Sequence, residues 1–303
     1  MASGRVLLTG AAGFIGRATL ARLRLHNINY IATDLHPHPE VPELVTGDLR
    51  EEEFLVGLLQ PSRFTTVIHL GAMLPTAARR DPVAATRVNV DASCSLLKVA
   101  QSVGVRRFVF GSSLGVYGGR FDHTPVSEET PAAPEEVYGA GKLYVEQIGA
   151  LLQTEHFAFS ALRIATTVGE GVTNSASPWR SQILEVLRAK APTTVEVPYA
   201  EQAILPLVHV SDVGRALMSL AVEEKSMRGI FNSPAESLSV TELRELISSL
   251  NPYAKVKAGT RRDTGIPAYM DCQKIFREAG YQPVPLRQHF EHSMKSATSS
   301  RQI

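Results

Sequence analysis

Val6-Leu7-Leu8-Thr9-Gly10-Ala11-Ala12-Gly13-Phe14-Ile15-Gly16 joins a short aliphatic strand to a helix through a glycine-rich turn. Arg5 to Thr9 reads as a buried strand, and Ile15 to His26 carries helical spacing. Gly10 can turn tightly, Gly13 lets the backbone approach a pyrophosphate, and Gly16 lets the helix pack on the strand. The first helical amides, at Phe14 and Ile15, and the helix dipole favour phosphate oxygens. Glycines in this pattern are a weak signal alone. Their place directly after the N-terminal strand makes them a candidate dinucleotide site.

Working outward, Asn29 to Asp34 is a second strand, and Asp34 lies 18 residues beyond Gly16. That spacing suits a carboxylate accepting the ribose hydroxyls, and its charge repels a 2′-phosphate. No Arg or Lys adjoins it; Leu35-His36-Pro37-His38 follows. The expected cofactor is therefore NAD rather than NADP. The competing reading of Asp34 is a solvated turn residue. Asp48, in Gly47-Asp48-Leu49, either meets the adenine amino group beside Leu49 or starts a helix.

The alternation continues with strands at Glu43 to Asp48, Thr66 to Leu70, Arg107 to Gly111 and Phe157 to Arg163. Helices are expected at Pro82 to Val103 and Val137 to His156. This βα rhythm predicts an α/β fold, a doubly wound parallel (Rossmann) sheet with helices on both faces. After Thr167 the rhythm breaks. A polar loop leads to a helix at Ser181 to Lys190, strand-like Thr193 to Pro198 and a helix at Val213 to Glu223. Gly229 to Asn232 is strand-like, and Val240 to Leu250 is a helix whose Ser239 and Glu242 form a capping box. Asp271 to Ala279 is a last short helix closed by Gly280. The expected organisation is a cofactor domain over 1–168 plus about 207–234, and a smaller C-terminal α/β substrate lobe over about 169–206 plus 235–290. The tail 296–303 is expected to fray.

Composition narrows the function classes. In 303 residues, 44% hydrophobic and 20% charged content is that of a globular protein rather than a disordered one. Thirty-one basic residues against 30 acidic ones lend no support to a nucleic-acid or membrane-surface role. No apolar run is long enough to span a bilayer, and Met1 to Arg5 leads straight into a strand, so neither a membrane helix nor a signal peptide is expected. Two cysteines, Cys94 and Cys272, suit a reducing cytoplasm and rule out a disulfide scaffold. His36 and His38 lack nearby ligands at metal spacing, so no metal is expected.

Three further motifs accompany the glycine turn: Ser112-Ser113-Leu114-Gly115-Val116-Tyr117-Gly118 after the fifth strand, Tyr138-Gly139-Ala140-Gly141-Lys142 opening a helix, and His69-Leu70-Gly71-Ala72 ending the fourth strand. In this order, over Val6 to Pro283, they resemble the extended short-chain dehydrogenase/reductase superfamily in its NAD-dependent epimerase/dehydratase branch. The residues themselves support such chemistry. Tyr138 and Lys142 sit at i and i+4 and share a helix face. A neighbouring ammonium and the positive nicotinamide ring are expected to lower a tyrosine pKa near 10 toward the working range of a general base. Tyr138 can then exchange a proton with a substrate hydroxyl or carbonyl while hydride moves to or from NAD. The resemblance implies that Ser113 polarises the substrate oxygen and that Lys142 also holds the nicotinamide ribose. It implies further that Leu70, Gly71 and Ala72 lie along the cofactor and that Asn89 anchors the active-site backbone. Met73 and Tyr117 are expected on the substrate wall. The two long helices resemble those that form the family's dimeric four-helix bundle, which implies a homodimer, although their apolar faces could also be buried within one subunit.

Departures from the family pattern narrow the substrate. Leu205, in Leu205-Pro206-Leu207-Val208-His209-Val210, stands where relatives acting on nucleotide-diphosphate sugars often carry an arginine for the diphosphate. Arg261-Arg262-Asp263 resembles a late cationic site or is a surface cluster. Leu114 and Gly115 replace the acidic pair of dehydratases. Between Val168 and Leu184, Asn174, Ser177 and Arg180 resemble the substrate segment of relatives that oxidise sugar acids, four-carbon sugar acids in particular, and a guanidinium can fork a carboxylate. Trp179 reads as lobe packing. The expected activity is NAD-dependent hydride transfer at a hydroxyl or ketone carbon of a sugar, sugar acid or polyol. The alternatives are a nucleotide-sugar 4-epimerase or 4-ketoreductase, and a non-enzymatic NAD-binding regulator.

Overall fold

The computed structural model describes residues 4–60, 63–119, 124–172, 177–223 and 227–299. The first half builds β1 (Val6–Thr9), α1 (Phe14–Leu25), β2 (Tyr30–Asp34), β3 (Val45–Thr46), α2 (Glu52–Leu58) and β4 (Thr66–His69). It continues with α3 (Pro75–Arg80), α4 (Pro82–Thr86), a π-helical turn at Arg87–Asp91, α5 (Ala92–Ser102), β5 (Arg107–Ser113), a short 3₁₀ turn at Leu114–Val116, α6 (Val137–Leu151) and β6 (Ala158–Ile164). The second half adds β7 (Thr166–Val168), α7 (Trp179–Leu187), β8 (Thr193–Tyr199), β9 (Ile204–His209), α8 (Val210–Val222), β10 (Gly229–Asn232), β11 (Glu236–Ser239), α9 (Val240–Leu250), β12 (Ala254–Arg261), α10 (Gln273–Ala279) and α11 (Leu286–Ser299).

Seven strands form one sheet in the order β10-β6-β5-β4-β1-β2-β3, and every pairing in it is parallel. Parallel strands buried on both faces need continuous apolar runs, which Val6-Leu7-Leu8 and Phe108-Val109-Phe110 supply. Leu20, Leu23, Val213, Leu217 and Ile275 from α1, α8 and α10 fill one face. Leu55, Leu58, Leu96, Leu97 and Val145 from α2, α5 and α6 fill the other with Phe108, Phe110 and Phe159. The strand order reverses between β1 and β4, so a crevice opens at their carboxyl ends, where such sheets bind ligands.

A second core gathers Trp179, Ile183, Val195, Val197, Leu205, Leu243 and Phe290. Two small sheets frame it, β11-β9-β7 and the parallel pair β12-β8. Ala165 is the changeover point, where the chain leaves β6 in the large sheet and enters β7 in the small one.

Several elements differ from expectation. The helix expected over Pro82 to Val103 is divided: Asp81 caps α4 by accepting the Ala84 N–H, and the π turn follows at Asn89. Helix α6 ends at Leu151, five residues early. Strands β7, β9, β11 and β12 and helices α3 and α11 had no clear signal. The tail is helical through Ser299, because Leu286, Phe290 and Met294 at four-residue spacing lay α11 on the second core. His289 on α11 also pairs with Asp212 on α8 (2.9 Å) and stacks on His209 at 4.1 Å. The capping box at Ser239 and Glu242 and the left-handed Gly280 are present as read. Among the described residues no helix is long and apolar enough to cross a membrane.

Candidate active site

The glycine turn lies in the crevice where the strand order reverses. Gly10 has φ +70°, and a Cβ there would sit 2.7 Å from the Gly71 nitrogen. The loops after β1 and β4 therefore touch through glycine. A Cβ on Gly16 would overlap the Gly10 carbonyl oxygen, so only glycine lets α1 start this close to the turn. No side chain caps α1 at Gly13, so its first amides are left facing the turn. Asp34, ending β2, accepts the Ala12 N–H (2.9 Å) and the Leu35 N–H (2.7 Å). Its carboxylate is thus fixed against the turn and retains lone pairs for hydroxyl donors. This cradle fits a dinucleotide: space that a Cβ would fill, exposed helix amides and an adjacent carboxylate.

Asp48 is differently engaged. Its carboxylate grips Arg50 through Nε and Nη2 and accepts the Arg50 N–H, and the N-cap position of α2 is Glu51, which makes no side-chain cap. Leu49 packs against the sheet core. Leu70 packs on the other face, and Gly71, Ala72 and Met73 continue the loop past β4. Asn89 is buried, and its side-chain amide brackets Met73, accepting its N–H (2.7 Å) and donating to its carbonyl (3.0 Å). Asn89 therefore positions the loop beside the crevice. The π turn is what aims it there.

Tyr138 and Lys142 occupy the first two turns of α6. The Lys142 ammonium is buried 5.7 Å from the Tyr138 ring centre and 4.5 Å from that of Phe110, and it donates to the Gly111 carbonyl (2.8 Å). Ser113 ends β5, its Oγ accepting the Gly115 N–H (3.1 Å). A Cβ on Gly139 would overlap the Gly115 carbonyl oxygen. Glycine at that position lets the turn carrying Ser113 lie directly on the helix carrying Tyr138 and Lys142.

Burial dominates the electrostatics of this pair. Burial pushes the Tyr138 phenol up to about 12, and the charge pulling it down is the Arg180 guanidinium, not Lys142. Burial also lowers Lys142 to about 7, against the raising influence of Glu146. Without further charge in the site, Tyr138 is a neutral acid and Lys142 is poised near neutrality. Burial lowers Arg180, at the start of α7, while Tyr199 and Tyr138 favour its charged form.

Tyr117 is a correction. It is fully buried, its hydroxyl donates to Asn232 Oδ1 (2.7 Å) or the Ser127 carbonyl (2.9 Å), and Arg163 stacks on its ring at 4.6 Å. It belongs to the core, not to a substrate wall. Trp179 is buried in the second core, edge-on to Tyr199. Ser177 lies just before α7, and its carbonyl accepts the Arg180 N–H (3.3 Å). Asn174 lies outside the described residues. Leu205 is buried in the second core, and Arg261 covers the Tyr199 ring at 5.4 Å.

Two groups escaped the sequence reading. His69 is buried between Thr9 Oγ1 (2.6 Å) and Ser93 Oγ (2.9 Å), and Ser93 donates to the Asn89 carbonyl (2.8 Å). Because that serine proton is used, the imidazole carries hydrogen on Nε2 and accepts from Thr9 at Nδ1. Burial lowers His69 to about 3, so it stays neutral while tying the glycine turn to the Asn89 segment. A lone histidine in the apolar run Thr66 to Leu70 was the available signal. Arg17 is the second group. It donates to the carbonyls of Ala12 (2.7 Å) and Gly171 (3.0 Å) and pairs with Glu40 (3.0 Å), pinning the loop after β7 to the glycine turn.

Residues 6–232 match the model of the NAD dependent epimerase/dehydratase family. A UDP-glucose 4-epimerase of Azospirillum brasilense is 29% identical over 236 residues, which is 71% of this chain and 67% of the relative. A dTDP-4-dehydro-6-deoxyglucose reductase of Escherichia coli is 26% identical over 92% of each chain. Among solved structures, MoeE5 in complex with UDP-glucose and NAD superposes with a TM-score of 0.81 at 29% identity, over 98% of this chain and 99% of MoeE5. An L-threonine 3-dehydrogenase from Trypanosoma brucei shares the fold with a TM-score of 0.86 at 21% identity, over 98% of each chain.

Proposed function

The chain belongs to the NAD dependent epimerase/dehydratase family, and from that premise we propose that it oxidises a hydroxyl of a sugar acid, or reduces the matching ketone, as a dehydrogenase of the extended short-chain type. It is an NAD-dependent enzyme. Bound at the crevice, NAD supplies or receives the hydride. The glycine turn and the α1 amides hold its pyrophosphate, Asp34 takes the ribose hydroxyls, and Lys142 takes the nicotinamide-side ribose. Ser113 orients the reacting oxygen. Tyr138 moves its proton: the neutral phenol donates to a carbonyl in reduction, and the phenolate receives the proton in oxidation.

The observation that supports the sugar-acid reading is that Arg180, at the start of the second-lobe helix α7, is the cation whose charge acts on the Tyr138 phenol. A cation beside the phenol suits a substrate whose carboxylate lies a bond or two from the reacting carbon. A nucleotide-diphosphate sugar reacting at C4 would hold its anion across the ring, at C1. Leu205 offers that diphosphate no charge. The test is a panel of sugar acids, aldoses and nucleotide sugars with NAD, followed by NADH absorbance. Turnover with a sugar acid but not with its neutral aldose is the expected outcome, and loss of it in Arg180→Met would place the carboxylate. A second reading, a nucleotide-sugar 4-epimerase or 4-ketoreductase, is favoured by the similarity to the two nucleotide-sugar enzymes. Interconversion of nucleotide sugars without net NADH would establish the epimerase, and NADH-consuming reduction of a nucleotide 4-ketosugar would establish the ketoreductase.

We also propose a homodimer through α4, the π turn and α6. Val83, Val137 and Tyr144 are exposed there around a groove of about 390 Å³ lined by Ala85, Thr86, Val90 and Ala140.

A further inference from the structure

Behind Lys142 lies a buried charged cluster that hydride transfer does not require. Tyr138, Lys142 and Glu146 stand at i, i+4 and i+8, so one face of α6 presents all three. Glu146 is 3% exposed, and its carboxylate takes three hydrogen bonds from two strands of the sheet. From β6, Arg163 donates through Nε (3.0 Å) and Nη2 (2.7 Å); from β5, Ser112 donates through Oγ (2.5 Å). Arg163 and Ser112 are equally buried. Ser112 adjoins Ser113, and Lys142 bonds the carbonyl of Gly111, one residue earlier. Gly111 and Ser112, the two β5 residues before Ser113, are thus tied to α6 at Lys142 and Glu146 respectively.

We infer that Glu146 is a positioning residue, a buried counter-charge one turn behind Lys142 that keeps Lys142 an ammonium and fixes the strand end carrying Ser113. The inference rests on the reading of Tyr138 and Lys142 as the proton-handling pair. The groups packed around the amine leave Glu146 as its source of negative charge among the described residues. Tyr138, on the same helix, is neutral, and burial holds His69 on β4 neutral too. Arg163 on β6 is a cation bound bidentately to Glu146. Tyr117 beyond it is a neutral phenol pushed upward by burial. Glu146 accordingly raises the affinity of Lys142 for its proton, against burial.

Two features argue against a purely structural role. The ion pair is wholly buried, where removal of charge is costly and a hydrophobic pair would often serve stability as well. In addition, the carboxylate lies on the Tyr138–Lys142 face of α6.

The test is the titration of Lys142 in the protein without substrate, followed by the ¹³Cε resonance of labelled lysine and assigned with Lys142→Met. Glu146→Gln should move the midpoint down by at least about one pH unit. That variant leaves Arg163 as an orphan cation and risks misfolding. The double variant Glu146→Gln/Arg163→Met removes both charges and should still show a downward shift, smaller than that of Glu146→Gln because the repulsion from Arg163 is lost as well. Glu146→Asp, which keeps the charge, should return the midpoint toward wild type. A double variant that folds and titrates Lys142 within about 0.3 pH unit of wild type would overturn the proposal, leaving Glu146 as a brace between β6 and α6. The readout needs no turnover, so failure of the sugar-acid assay would leave it intact.

Discussion

The proton chemistry of this site is concentrated in Tyr138, and its environment sets the direction of proton traffic. With the phenol held up to about 12, Tyr138 is neutral in the free protein, while Lys142, lowered to about 7, exchanges its proton near neutrality. Tyr138→Phe removes only the proton carrier. Turnover should fall by about 100- to 10,000-fold, while NADH binding, read by its fluorescence, stays at the wild-type level. Retained turnover would refute the role of the phenol. His69 makes a separate prediction about stability. Its folded pKa of about 3 lies below the ordinary 6.5, so between these values the unfolded chain binds a proton that the native protein does not. Stability therefore rises with pH across that window and falls on acidification. From pH 6.5 to 5 the loss from His69 should be about 2 kcal/mol, at about 1.4 kcal/mol per unit, measured by urea denaturation. His209, also lowered to about 3 by burial, adds in the same direction. His69→Gln should flatten the slope, and an unchanged slope would contradict the neutral imidazole.

At the scale of elements, the site depends on how closely α6 meets the turn after β5. Gly139→Ala would drive a methyl into the Gly115 carbonyl and push Ser113 away from Tyr138. A displacement of about 1 Å can cost about 100-fold in rate. Gly139→Ala should lower kcat on that order with an unchanged circular dichroism spectrum; wild-type kcat would show that the contact is unimportant. Which elements could be read from sequence follows from where their information lies. The glycine turn, Asp34, Tyr138 and Lys142 were legible because fixed spacing within one strand, turn or helix defines them. The Ser239 capping box and Gly280 were legible for the same local reason. Strands β9 and β12 were obscured because they lie on small sheets whose partners are distant in sequence. Helix α11 shows only a narrow stripe of apolar residues in a polar run. Tyr117 misled because its motif sits at the site while its side chain turns inward to Asn232. Spacing places Lys142 beside Tyr138 but does not report burial, which is the larger influence on the phenol.

For the whole molecule, one chain builds two cores and first passes from one to the other at Ala165. Arg17 clasps the loop after β7 to the cofactor turn, and His289 with Asp212 fastens α11 to α8. The exposed apolar residues on α4 and α6 predict a dimer. Light scattering after size exclusion should give twice 32.9 kDa, and Tyr144→Glu should return it to the monomer. A monomeric wild type at micromolar concentration would exclude that interface.

The position of β10 bears on how the protein is made. This strand covers β6 at the edge of the large sheet, yet 64 residues separate Ile164 from Gly229. At about 5–20 residues per second, a ribosome needs roughly 3 to 13 s to bridge that gap. Throughout that interval the nascent β6 has an open edge, the kind of surface on which strands of neighbouring chains can pair. Closure of that edge therefore waits for β10 to be made.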